Sequence, residues 1–433
     1  MSTDSKKSSF HPTLAWDTKP WQAGRWVCEQ LQLAGCECFF VGGCVRDLLL
    51  GHSVADIDCT TNATPDQVAD IFPKIVSVGA AFGIQIVQTP MGDDIEVATY
   101  RGETDYDDRR HPRSVRFLTS LIDDLSRRDF TINALAWDPL SAELVDPHQG
   151  QRDLANRCLR VVGSDQRLLE DRLRLLRGLR FAARFNLTPT EATAAALRQG
   201  DCTGVSRERI WEEWQKSLHQ DQQGSWWELV LHYEMASQFL PPSWQATTVS
   251  LSSLYSQHVP GQWRGLLGQA CILTQHFTDR VQSVSQDAAT ILLELETWLA
   301  DQPIAKKLHK RLYSLVVWQL ASGWQQEPAS LRQKSLRADP ELEVLLPMWW
   351  QLWPANDGLW PSTDALHDLA RTQPLLTAAD LLRHGIEPGP RLGALLQAAF
   401  ELQIEQGLAS KELVLRELAH KYPNDHLTGT SDD

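Results

Sequence analysis

The sequence predicts an α+β front portion followed by a helical remainder. Three observations carry this. Short apolar strands and short helices alternate up to about residue 160. After that point the strand signals stop and helical periods run to the end. Thirteen of the 17 tryptophans also fall after residue 200, which marks a shift in composition. A chain of 433 residues exceeds one core of typical size, so two to four domains are expected.

The elements follow in order. Residues 1–22 read as a loose extension, and apolar residues recur at helical spacing from Trp26 to Leu33. Cys36 to Val41 is an apolar strand running into Gly42-Gly43. Val45 to Leu50 predicts a short helix ended by Gly51, and Asp56 to Cys59 predicts the next strand. Thr64-Pro65-Asp66-Gln67 has the form of a capping box with proline in the first turn, opening a helix that ends near Phe72. Gly83 to Thr89 and Asp94 to Tyr100 read as paired strands joined around Pro90-Met91-Gly92. Residues 102–116 are charged and without period, which predicts a mobile loop. Ser164 to Phe185 predicts one helix, and residues 325–362, rich in proline and tryptophan, read as irregular.

Composition excludes several classes. Apolar residues make up 42% and charged residues 22%, as in ordinary globular proteins. No apolar run reaches the roughly 18 residues of a membrane span. The polar N-terminus has no signal-type apolar core, so a cytoplasmic location is expected. The net charge of −14 argues against broad nonspecific nucleic-acid binding, although arginines cluster at 109–116, 127–128 and 167–184. Five of the eight cysteines lie between Cys28 and Cys59. No Cys-x-x-Cys pair occurs, so they read as small buried thiols in a reducing compartment rather than as a zinc site.

Three segments could carry chemistry. The first pairs Gly42-Gly43 and Arg46 with Asp56 and Asp58. Glycines let backbone amides approach an anion, and on a strand Asp56 and Asp58 would share one face, as a divalent-cation nucleotide site needs. Glu96, in the strand Ile95–Thr99, offers a third carboxylate for such a metal or simply faces water. The second segment is Arg127-Arg128-Asp129 through Asn133. It suits triphosphate oxygens and ribose, or else forms surface ion pairs with Asp124. The third is Glu170-Asp171 with Arg174, Arg177, Arg180 and Arg184. Asp171 and Arg174 could match a base edge, or form a salt bridge three residues apart. Arg109-Arg110-His111-Pro112 could touch substrate or be a solvated charge run.

Together these segments resemble class II tRNA nucleotidyltransferases and the related bacterial poly(A) polymerases. The resemblance rests on Phe40-Val-Gly-Gly-Cys-Val-Arg-Asp-Leu48, Asp56-Ile-Asp58, Ile95-Glu-Val-Ala-Thr-Tyr-Arg101, Arg127-Arg-Asp-Phe-Thr-Ile-Asn-Ala134 and Glu170-Asp171-x-x-Arg174. It implies a polymerase-β-type nucleotidyltransferase head (23–160), then an all-helical neck (161–235) and a helical body and tail (236–433). It implies that Asp56 and Asp58 hold Mg²⁺ and activate the RNA 3′ hydroxyl. Gly43, Arg46 and Arg128 would contact the phosphates, with Asp129 near the ribose. Asp171 and Arg174 would read the base, supported by Arg177 and Arg180. Val205–Ile210 is similar to the family's neck segment. The tail segment Asp380-Leu-Leu-x-x-Gly385 is similar to that of CCA-adding enzymes, and residues 391–433 are acidic where the polymerases tend to be basic. The expected activity is addition of CCA, or its terminal A, to tRNA 3′ ends from CTP and ATP. The alternatives are poly(A) synthesis and a noncatalytic RNA-binding relative.

Overall fold

The computed structural model describes residues 18–425 apart from Ala55 and residues 80–82, 107–111, 222, 242–250, 252–258, 260, 285–287, 320–328 and 353–362. The chain divides into two compact units, Met1–Ser250 and Leu251–Asp433.

The first unit opens with α1 (Lys19–Leu33), longer than the sequence predicts. Residues 19–22 are its first turn rather than part of an extension. Pro20 is tolerated there because the amide it lacks would have no helical partner, and Trp21 is buried against Phe40. Gly24 lets α1 settle onto the sheet, since a Cβ there would lie 2.7 Å from Ile57 Cγ2 and 2.9 Å from the Phe40 ring. There follow β1 (Cys38–Val41), α2 (Gly43–Leu49), β2 (Asp58–Thr61), α3 (Pro65–Ile71, with the expected capping box), β3 (Ile75–Gly79), β4 (Ile84–Gln88) and β5 (Asp94–Thr99).

The described residues of 102–116 are strands rather than a loop. β6 (Arg101–Tyr106) and β7 (Pro112–Phe117) form a separate antiparallel ribbon. A ribbon held by its own backbone ladder does not require the apolar alternation of a half-buried strand, which explains the missing signal. Arg109, Arg110 and His111 lie outside the described residues. Next come α4 (Leu121–Ser126), a 3-10 turn (Thr131–Asn133), β8 (Ala136–Asp138), β9 (Glu143–Val145), α5 (Gly150–Ala155) and β10 (Cys158–Leu159).

The main sheet has the order β3-β4-β5-β2-β1-β8-β9. Its neighbours are antiparallel except β2 and β5, whose parallel register sets Asp58 beside Glu96.

The helix expected over 164–185 is two, α6 (Arg167–Glu170) and α7 (Leu173–Phe185), broken at Asp171, whose backbone is extended. β11 (Thr188–Pro189) pairs with β10, so the segment is not wholly helical. α8 (Glu191–Gln199), α9 (Arg207–Gln220) and α10 (Trp226–His232) follow, with Trp211, Trp214, Trp226 and Trp227 buried.

The regular elements among the described residues of the second unit are helices. Ala329–Ala338 and Leu342–Gln351 are helices inside the stretch expected to be irregular. Pro340 falls in the turn between them, and Pro347 lies inside the second helix. The Asp380–Gly385 segment has a structural logic. Thr377 and Asp380 form a capping box, Leu381 is buried in the core, and Gly385 adopts positive φ just past the helix end.

Candidate functional site

A cavity of about 560 Å³ opens in the first unit between the ends of β1, β2 and β5, the 127–133 segment and helix α7. Eight arginines (46, 101, 127, 128, 174, 177, 180 and 184) line it, against the carboxylates of Asp58, Glu96, Asp129 and Asp171. In a chain of net charge −14, this concentrates positive charge in one place and suits a polyanion.

Its floor comes from the β1 turn. Gly42 takes φ 73°, a conformation open to glycine at no steric penalty. A Cβ there would also come 3.0 Å from Arg128 Nη1. Arg46, on α2, is buried. It donates to Asp47 and to Asn133 Oδ1, and its guanidinium sits 4.5 Å from the Phe185 ring centre. Asp47 also accepts from Arg184 at 2.9 Å.

The acidic wall is β2 and β5. Asp58 and Glu96, adjacent in register, both line the cavity. Asp56 does not. It lies ahead of β2 rather than in it and is exposed, because the strand begins two residues later than the sequence predicts. Its charge still reaches Asp58. Burial, then Glu96 and Asp56, push the Asp58 carboxyl up to about 6, against the pull of Arg128. Asp58 and Glu96 thus offer carboxylate oxygens side by side on one wall, a donor type that suits a hard cation.

The arginine wall is pre-organised. Asp124, fully buried, accepts from Arg127 at 2.9 Å and from Arg128 at 3.3 Å. The surface ion pairs considered from sequence are therefore interior ones. Arg128 Nε is buried and finds no hydrogen-bond partner among the described residues. Asp129 Oδ2 accepts from Arg177 Nε and Nη2 at 2.9 and 2.7 Å, and Oδ1 accepts from Asn133 Nδ2 and the Phe130 amide. Burial alone would raise the Asp129 carboxyl, but Arg177 and these hydrogen bonds outweigh it and hold it at about 2. Arg180 donates to Glu213 and Gln220 on α9 and lies over Phe181.

Asp171 sits at the α6–α7 break. It accepts from Arg209 Nη2 on both oxygens, at 3.3 and 3.2 Å. Arg174 donates to the Arg167 carbonyl at 3.1 Å and lies 3.6 Å from Glu170. Gly43, Arg46, Asp58, Arg128, Asp129, Asp171, Arg174, Arg177 and Arg180 thus meet in one cavity, and Asp56 stands outside its lining. Sequence reasoning gave no supporting role to Arg209, Glu213 or Asp47, although Asp47 and Arg209 lie inside the motifs that carry the resemblance. The one signal at Arg209 and Glu213 was alternation of charge along 205–213, which a solvated helix face would also show.

A family model described as the poly A polymerase head domain matches residues 38–160. The chain is 30% identical over 413 residues to the CCA-adding enzyme of Streptococcus mutans serotype c, covering 91% of this chain and 96% of that relative. It is 40% identical over 203 residues to the CCA-adding enzyme of Geobacillus sp. (strain WCH70), covering 46% of this chain and 50% of the relative. In this and similar matches the chain spans about half the length of the curated relatives. Among solved structures, the Bacillus stearothermophilus CCA-adding enzyme in complex with CTP has the same fold, with a TM-score of 0.69 at 23% identity over 94% of this chain and 100% of that one.

Proposed function

This chain belongs to the family of CCA-adding enzymes, and we propose that it adds CCA, or the terminal A of that triplet, to tRNA 3′ ends from CTP and ATP. The observation that carries the reading is the cavity itself, an arginine-lined pocket with the Asp58–Glu96 wall on one side and Asp171–Arg174 on the other. The nucleotidyltransferase family is generally metal-dependent, and we assign Mg²⁺ to Asp58 and Asp56, the latter from the exposed segment ahead of β2, with Glu96 adding a carboxylate beside Asp58 on the cavity wall. When bound, the ion polarises the α-phosphate and lowers the pKa of the primer hydroxyl.

The reaction is attack of the RNA 3′-hydroxyl oxygen on the α-phosphorus, with pyrophosphate leaving. Positioning and charge neutralisation supply most of the rate. Gly43, Arg46 and Arg128 take the phosphates, and the unpartnered Arg128 Nε leaves a donor to spend on them. Asp129, its oxygens engaged by Arg177, Asn133 and the Phe130 amide, stands near the ribose and sets the donors around it. Asp171 supplies acceptors and Arg174 donors to the base edge. Arg177 and Arg180 hold this frame through Asp129 and Glu213. The division of labour is head 23–160 for catalysis, neck 161–235 for base reading, and 236–433 for tRNA.

The test incubates the protein with tRNA lacking its end, tRNA ending in C or CC, and an unstructured oligonucleotide. Each receives CTP, ATP or both, and products are sized at one-nucleotide resolution. Stepwise completion of CCA, or of A on CC ends alone, supports the reading. Long adenylate tails on the oligonucleotide would replace it with poly(A) synthesis.

A further inference from the structure

Behind the acidic wall, three thiols converge. Cys28 comes from α1, Cys38 opens β1 and Cys59 follows Asp58 in β2. Their sulfurs all lie within 4.8 Å of one another, with Cys28 and Cys38 3.0 Å apart. Each is at most 1% exposed. They lie ten and 21 residues apart in sequence, a spacing unlike that of zinc motifs, and it is the β1–β2 pairing under α1 that gathers them.

We propose that Cys28, Cys38 and Cys59 form a binding site for a trivalent thiophile of the arsenite class. Geometry and charge select this class together. A metal–thiolate bond of about 2.3 Å sets sulfurs roughly 3.5–4 Å apart, within reach of this cluster by small side-chain shifts. Three thiolates around a monovalent or divalent ion leave a net negative charge, which a dry interior penalises. Asp138, at the end of β8, adds negative charge nearby and sharpens that penalty. A trivalent centre leaves none. Arsenous acid, As(OH)₃, exchanges three As–O bonds for three As–S bonds. Each thiol proton departs with a hydroxide as water, and no atom changes oxidation state. The product is neutral and ties α1, β1 and β2 together directly behind Asp58.

The test incubates the full-length protein with sodium arsenite in a phosphine reductant, desalts it, and measures bound arsenic and its X-ray absorption. One arsenic per chain with three sulfur neighbours is expected. Cys28→Ala and Cys59→Ala should fall to the blank, while Cys36→Ala and Cys158→Ala retain wild-type loading. Arsenic no higher than the blank in wild type, fewer than three sulfur neighbours, or equal loss in Cys36→Ala would overturn the proposal. The wild-type coordination number decides the matter even where a core variant fails to fold.

Discussion

Asp58 is a carboxylate that the fold holds against its own preference. Its pKa of about 6 in the folded protein lies above the ordinary aspartate value of about 3.9. The folded state therefore binds its proton more tightly than the unfolded state does. Any stability this group lends is full below the unfolded value and is lost as pH rises to about 6. Asp58→Asn should accordingly melt no lower than wild type above pH 6, while nucleotide incorporation falls by roughly 10²-fold or more. Calorimetry and a primer-extension assay read the two effects, and a fully active variant would remove Asp58 from the metal site. The same shift predicts that divalent-ion affinity falls about tenfold per pH unit below pH 6, because the ion must displace a proton; titration calorimetry across pH 5–8 checks this. Asp58 itself was legible from sequence. Glu96 was legible only as an open choice between a third carboxylate and a solvated one, since it sits 38 residues away and only the parallel register of β2 and β5 makes the two neighbours.

At the scale of elements, the break between α6 and α7 matters most. One continuous helix would have placed Asp171 and Arg174 on an inclined ridge. The break instead frees Asp171, and Arg209 of α9 fixes it. Arg209→Ala should therefore loosen selection between CTP and ATP several-fold, with a smaller change in triphosphate KM, as should Arg174→Ala. Misincorporation ratios on CC-ended tRNA measure this, and unchanged selectivity in both variants would count against base reading by these residues. The α1–sheet contact makes a second case. Gly24→Ala would gain about 1 kcal/mol of helix propensity. Overpacking against Ile57 and Phe40, both buried, costs about 1–3 kcal/mol, so the variant is expected to be destabilised on balance, by a margin that denaturant melts can resolve. Periodicity revealed strands and helices with a buried face. It missed the β6–β7 ribbon and the α6–α7 break, which are set by backbone pairing and by a single residue's dihedral angles.

At the scale of the whole molecule, charge is partitioned rather than spread. A chain of net −14 concentrates eight arginines around one cavity, so attraction for polyanions is local, and the overall charge argues against a general affinity for nucleic acid. Every residue lining that cavity lies between Val41 and Arg184, and its supports Arg209, Glu213 and Gln220 also precede Ser250, where the first compact unit ends. That unit buries its own core, including Trp21, Trp137, Trp214 and Trp226. Residues 1–250 expressed alone should therefore unfold cooperatively and bind CTP and ATP within a few-fold of the full chain, while addition to tRNA drops far more. Calorimetric binding of each triphosphate, set beside an incorporation assay on CC-ended tRNA, separates the two. If triphosphate binding were lost with residues 251–433, those residues would have to complete the nucleotide site, and a cavity built wholly from the first unit would not suffice.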